Sequence, residues 1–157
     1  MGSCLGVIIM IGSLFFWLGL PKYKILNRTI DLSTEFTLSP SKILVTKLGT
    51  KPLKVPMSIK NNSDENLSFN ITDRIPDRVT PGYSYINDSG LIMFTDNSNI
   101  DTSILPPDGI MRFNLYLSLE EGKTLDRNFE AWLSVEPKVL NKPINTELCL
   151  RILIQGE

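Results

Sequence analysis

Ile110–Leu119 reads IMRFNLYLSL. In an extended chain Met111, Phe113, Leu115, Leu117 and Leu119 fall on one side, and Ile110, Arg112, Asn114, Tyr116 and Ser118 on the other. Successive side chains of a strand point to opposite faces, so the first set belongs to a core. A strand with one greasy face needs a sheet, and that sheet needs a second layer to cover it. Leu105-Pro106-Pro107-Asp108-Gly109, just upstream, is turn chemistry and marks where the strand starts.

The same alternation recurs in both directions. Downstream, Glu120-Glu121-Gly122-Lys123 is a polar connection. Phe129, Ala131, Leu133 and Val135 then form an inward set, with Asn128, Glu130, Trp132 and Ser134 opposite. Pro137 to Pro143 is expected to loop back. The last strand places Leu148, Leu150, Ile152 and Ile154 inward, and Glu147, Cys149, Arg151 and Leu153 outward. Upstream, Tyr83–Ile86 and Leu91–Thr95 flank Asn87-Asp88-Ser89-Gly90, which predicts a hairpin with a four-residue connection. Ile75 to Gly82 is irregular, while Leu67, Phe69 and Ile71 alternate and follow a polar loop at 61–66. Leu53, Val55, Met57 and Ile59 share a face, with Lys54, Pro56, Ser58 and Lys60 opposite; Pro56 predicts an interruption or a bulge. Glu35–Leu38 and Lys42–Thr46 bracket Ser39-Pro40-Ser41. Strands at roughly ten-residue spacing are the pattern of an all-β sandwich or barrel.

Gly2 to Leu20, GSCLGVIIMIGSLFFWLGL, has no charged side chain. As a helix it would rise roughly 28 Å, about one hydrocarbon core. A cleaved signal peptide is the competing reading, but it wants a basic start, a shorter apolar run and small residues before the cut, where this chain has Trp17 or Leu18. Residues 1–21 are therefore expected to remain as a transmembrane helix, with Trp17 and Tyr23 at the interface. Gly2 and Gly6 form a GxxxG pair that would let two helices approach, although glycine is common in spans anyway. Myristoylation at Gly2 is excluded because Gly6 stands where Ser or Thr is required. Lys22 to Thr34 is expected to be a juxtamembrane linker.

Two signals disagree about orientation. Lys22, Lys24 and Arg28 follow the apolar run and favour a cytoplasmic domain. Asn27, Asn61, Asn66, Asn70 and Asn87 each begin an N-x-[ST] triplet, making them candidate glycosylation sites of an external one. The expectation is a single-pass membrane protein with its domain outside.

Composition narrows the chemistry. The chain has 16 basic and 17 acidic residues, so it lacks the basic field of a nucleic-acid binder. It has no histidine, which removes the commonest general base and the usual transition-metal ligand. Cys4 lies in the apolar run and Cys149 near the other end, which argues against a disulfide; Cys149 is read as a passive, partly covered thiol. Asp96-Asn97-Ser98-Asn99-Ile100-Asp101 is oxygen-rich but has Ile100 and Asp101 where a calcium loop of the EF type needs an oxygen and a glycine. A solvated loop is expected there, with a looser calcium site as the alternative; no cofactor is expected. Carboxylates such as Asp73, Asp77, Asp101, Glu120, Glu121 and Glu130 show no spacing that singles out a hydrolytic pair.

The order of the pieces resembles the immunoglobulin-like sandwiches of the PapD, major sperm protein and ASH type. The residues that carry it are Leu38-Ser39-Pro40, Met57-Ser58-Ile59-Lys60-Asn61-Asn62-Ser63, Ile104-Leu105-Pro106-Pro107-Asp108-Gly109 before Phe113–Leu117, and Leu150-Arg151-Ile152-Leu153-Ile154-Gln155-Gly156. The resemblance implies an Ig-like antiparallel β-sandwich of about seven to eight strands over 35–157. It also implies protein binding in general terms, but neither the basic pair of pilus chaperones nor the basic face of sperm-protein relatives can be aligned. The functional expectation is a non-catalytic, membrane-anchored interaction module, either an accessory subunit or a surface protein, contacting a protein partner through outward Tyr116 and Trp132. A cytoplasmic scaffold of the sperm-protein type is the alternative, and a carboxylate hydrolase a remote one.

Overall fold

The computed structural model of the chain describes residues 20–27, 31–33, 35–85, 90–96, 103–139, 142–143 and 146–157. Every regular element among them is a strand: β1 (Lys22–Asn27), β2 (Asp31–Leu32), β3 (Phe36–Ser39), β4 (Lys42–Lys47), β5 (Leu53–Asn61), β6 (Leu67–Arg74), β7 (Ser84–Tyr85), β8 (Leu91–Thr95), β9 (Ile110–Leu119), β10 (Phe129–Val139), β11 (Lys142–Pro143) and β12 (Leu148–Ile154). They form two sheets. Sheet A runs β1-β4-β12-β10, with β6 and β7 on the far side of β10 and β11 extending the near side; sheet B runs β2-β3-β5-β9-β8.

The alternating strand quoted first is β9, central in sheet B. Its Phe113, Leu115, Leu117 and Leu119 are buried, as are Leu53, Val55, Met57 and Ile59 of β5. Ala131, Leu133 and Val135 of β10 and Leu150, Ile152 and Ile154 of β12 meet them from sheet A. Burying one such aliphatic side chain contributes about 1.5–3 kcal/mol, so these sets hold the sandwich together. Phe36 of sheet B and Phe69 of sheet A, both with no exposed surface, join the sheets through rings 5.2 Å apart and tilted by 60°.

Proline punctuates the fold as the sequence suggests at one position and not at another. The chain leaves sheet B after β3 and joins sheet A as β4, crossing at Pro40 through a cis Ser39–Pro40 peptide. Pro56 does not interrupt β5. Pairing with β3 ends at Ser39↔Ser58, so the flank of β5 beside Pro56 has no neighbouring strand there and the missing N–H costs nothing.

Several expectations are corrected. Lys22–Asn27 and Asp31–Leu32 are not a free linker: β1 pairs with β4 and β2 with β3, so the segment follows its partner from one sheet to the other. Its turn is held by Ser33, whose Oγ accepts from the backbone N–H groups of Glu35 and Phe36. Tyr23 packs against the core of the sandwich. The predicted hairpin around 87–90 does not form, because β7 joins β10 in sheet A while β8 joins β9 in sheet B. The pairing is not wholly antiparallel either; β4 runs parallel to β12, and β7 to β10. β10 continues through Pro137 to Val139, where a return loop was expected, because β6 supplies partners along that length. Leu153 points outward and is still buried. Gly2, Gly6, Trp17 and all of the expected anchor before Leu20 lie outside the described residues; among those described, no helix is long and apolar enough to cross a membrane.

Candidate functional site

The register of sheet A sets Trp132 of β10 directly between Arg74 of β6 and Arg151 of β12. Both guanidinium groups approach the indole, at 6.0 Å for Arg74 and 5.4 Å for Arg151. Two carboxylates close the row. Glu130 has no exposed surface, and it accepts from the Trp132 indole (2.9 Å), the backbone N–H of Thr80 (2.6 Å) and the Arg151 guanidinium (2.8 Å). Glu147 accepts from Arg74 and from the Ser134 hydroxyl. Burial alone would raise both carboxyl pKa values. The donors outweigh it and hold both below the usual carboxylate range: Thr80, Trp132 and Arg151 for Glu130, Ser134 and Arg74 for Glu147. Thr80 also accepts from Arg151, so this network pins the irregular 75–83 segment onto the outer face of sheet A. Half-buried Trp132 is therefore engaged within the fold. Cys149, in the same patch, has its thiol pushed up to about 12 by burial and by the Glu147 charge.

The outer face of sheet B is different. Phe94 of β8 lies opposite Tyr116 of β9, and their rings stack at 5.1 Å with 14° between planes. Phe94 remains 49% exposed, and Ile92 and Ile110 on the same face are 40% and 48% exposed. Lys54 stands opposite Tyr116, Arg112 opposite Ser58, and Lys60 opposite Ile110. All three cations are exposed and none makes an ion pair within 4 Å among the described residues, although the Lys54 charge helps to lower the pKa of Asp96. Where β3 leaves the sheet at Pro40, a groove of about 650 Å³ opens between Ile25, Pro40, Pro56 and Arg112. Asp96 borders it, but its carboxylate accepts from the backbone and side-chain amides of Asn114 (2.8 and 2.7 Å), which lower its pKa.

The other sequence candidates fall as follows. Asn61 is fully buried, donating to the carbonyls of Glu65 (2.7 Å) and Leu105 (2.9 Å) and accepting from Ser63, so it does not reach the surface of the folded domain. Asn66 is exposed and Asn70 half-buried. Asn27 is in β1 next to residues outside those described, and Asn87 is itself outside them. Asp101 and most of the oxygen-rich loop also lie outside, and no cluster able to hold a metal occurs among the described residues. Asp77 pairs with Arg74. What sequence reading missed is the basic character of sheet B. The outward sets of β5 and β9 were each visible, but only their pairing adds Lys54 and Lys60 to Arg112 on one surface.

With both faces described, the fold can be set beside known structures. No protein-family model and no curated protein sequence matches the chain. Solved structures do. It is similar to an ASH/PapD-like domain of human CEP192, at 13% identity over 85% of this chain and 94% of that one, with a TM-score of 0.55. The fold is the PapD-like sandwich. The E. coli chaperone DraB is similar at 9% identity and a TM-score of 0.50, over 78% of this chain and 55% of that one. A C. elegans MSP family member, WR4, aligns at 8% identity over 80% of this chain and all of that one, with a TM-score of 0.46. At these identities the PapD-like likeness establishes architecture; the faces described above are this chain's own.

Proposed function

We propose that this PapD-like sandwich is a non-catalytic protein-interaction module, held at a membrane by residues 1–21, with its domain external and the outer face of sheet B as its contact surface. The observation that carries the reading is the contrast between the two faces. Around Trp132 the polar groups of sheet A are bonded to one another, whereas sheet B leaves Phe94, two isoleucines and three cations open to solvent, with half-buried Tyr116 stacked against Phe94. Exposed aromatic side chains beside arginine are the usual anchors of protein contacts. A photoreactive residue placed at Phe94 in the full chain, in the cells that make it, should yield a discrete cross-linked adduct. The same group at Thr72, on the outer face of sheet A, should not. No adduct at 94, or the same adducts from both positions, would refute the assignment.

One observation favours a second reading. Lys54, Lys60 and Arg112 form a basic strip, which suits a cytoplasmic scaffold reading an acidic segment. Protease added to intact cells separates the two readings, since an external domain is digested and a cytoplasmic one is protected.

A further inference from the structure

We infer that the sandwich stands end-on at the bilayer, with the loop end formed by 47–52 and 119–125 resting at the lipid headgroups. The inference rests on the membrane reading proposed above and adds an orientation to it. The uncharged run ends at Leu20, and β1 is paired from Lys22 onward, opposite Lys47. Pro21 alone separates them, and one residue spans at most about 3.6 Å. No slack remains for the domain to turn over or stand away from an anchor made by residues 1–20.

Which end is tethered follows from the register. Lys22 is level with the last residue of β4, and the chain then runs through Gly49 to the start of β5 at Leu53. Gly49 accepts a hydrogen bond from Leu119 at the end of β9, so these loops share one end of the sandwich. β5 carries the chain from there to Asn61, roughly 27 Å away at strand spacing. The loop at 61–66 and the Pro106–Gly109 turn, joined to it by the Asn61–Gly109 backbone bond, are therefore at the far end. Charge favours the tethered end only slightly: Lys22, Lys47, Lys51 and Lys123 stand there with Glu120, Glu121 and Glu157, a surplus of one cation. Each cation near an anionic surface is worth only about 1 kcal/mol, so an end with one cation in excess is held mainly by its tether. Phe94 lies three residues along β8 from that end, about 10 Å up, so a partner on this face is met close to the headgroups.

The test uses the full chain with Cys4→Ser, reconstituted into phosphatidylcholine vesicles containing a small share of nitroxide-headgroup lipid. Single fluorophores are attached through Thr50→Cys or Asp64→Cys, both at exposed positions at opposite ends of β5. The expected result is strong quenching at 50 and little at 64. Inserting twelve Gly/Ser residues between Pro21 and Lys22 should bring the quenching at 50 down toward that at 64. Equal quenching in the uninserted chain, or stronger quenching at 64, overturns the orientation while leaving the anchor intact. A chain that fails to float with the vesicles removes the membrane reading, and this inference with it.

Discussion

Two buried polar side chains do more for this fold than their number suggests. Asn61 has no exposure and ties the loop after β5 to the Leu105 turn, with donors at 2.7 and 2.9 Å. Asn61→Ala takes one of two donors from the buried Leu105 carbonyl, which keeps the Leu67 N–H, and one from the carbonyl of exposed Glu65. It should cost about 1–2 kcal/mol, read as a shift in the urea midpoint at unchanged slope. Glu130 is the second. Glu130→Ala strands the Arg151 guanidinium, which is partly solvated, and should cost about 2–3 kcal/mol, with faster proteolysis in the 75–83 segment that Glu130 holds. Its pH signature has a definite sign. The folded-state pKa values of Glu130 and Glu147 lie below the ordinary 4.5, so between the two values the unfolded chain binds more protons. Their stabilisation is complete above about 4.5 and lost as pH falls through the folded values. Glu130→Gln should therefore flatten stability against pH below about 4.5 and leave the slope near neutrality unchanged. The outward placement of Trp132 and Glu130 was legible in the alternation of β10. Their partners were not, because Arg74 and Arg151 come from strands far apart in sequence.

At the scale of elements, alternation tells which side chains of a strand are buried but carries no information about which strand lies alongside. That is why β5, β9 and β12 were legible nearly to the residue and β10 as far as Val135, while β7 and β8 were read as one hairpin and belong to opposite sheets. It is also why Lys22 to Thr34 was read as linker: KYKILNRTIDL has no sustained period, and only the partner edges of β4 and β3 make Lys22–Asn27 and Asp31–Leu32 strand. This segment covers one edge of each sheet, and uncovered edges template pairing with other chains. A chain starting at Ser33 should self-associate at tens of micromolar concentration, seen by light scattering after size exclusion, where the sandwich starting at Lys22 is monomeric. Tyr23→Ala keeps the strand and removes only its packing, so it should cost about 1–2 kcal/mol with no change in oligomeric state.

At the scale of the whole molecule, the question is what makes the two sheets one body. Most hydrogen bonds act within a layer; between layers the inward sets pack, and Phe36 on Phe69 is a ring contact across that packing. Both rings have no exposed surface, so truncating either to alanine removes apolar contact and leaves a cavity that close-packed neighbours fill only in part, a loss of about 3–5 kcal/mol each. The tilted geometry adds a pairwise part of about 0.5–1.5 kcal/mol, which only the second ring can supply. The double variant should therefore be less destabilised than the sum of the singles by that amount. A cycle of Phe36→Leu and Phe69→Leu, milder changes that keep both chains folded, measures it by denaturant titration. Strict additivity would mean that the sheets are held by area alone and that this contact has no special part in aligning them. The coupling matters for the proposed surface too. Phe36 begins β3, and β3 leads to Pro40, where the strand leaves sheet B and the groove beside Arg112 opens. A sandwich loosened at Phe36–Phe69 should then bind its sheet B partner more weakly, while Phe94→Ala, which gives up its stack on Tyr116, weakens binding at a stability cost of only about 0.5–1.5 kcal/mol.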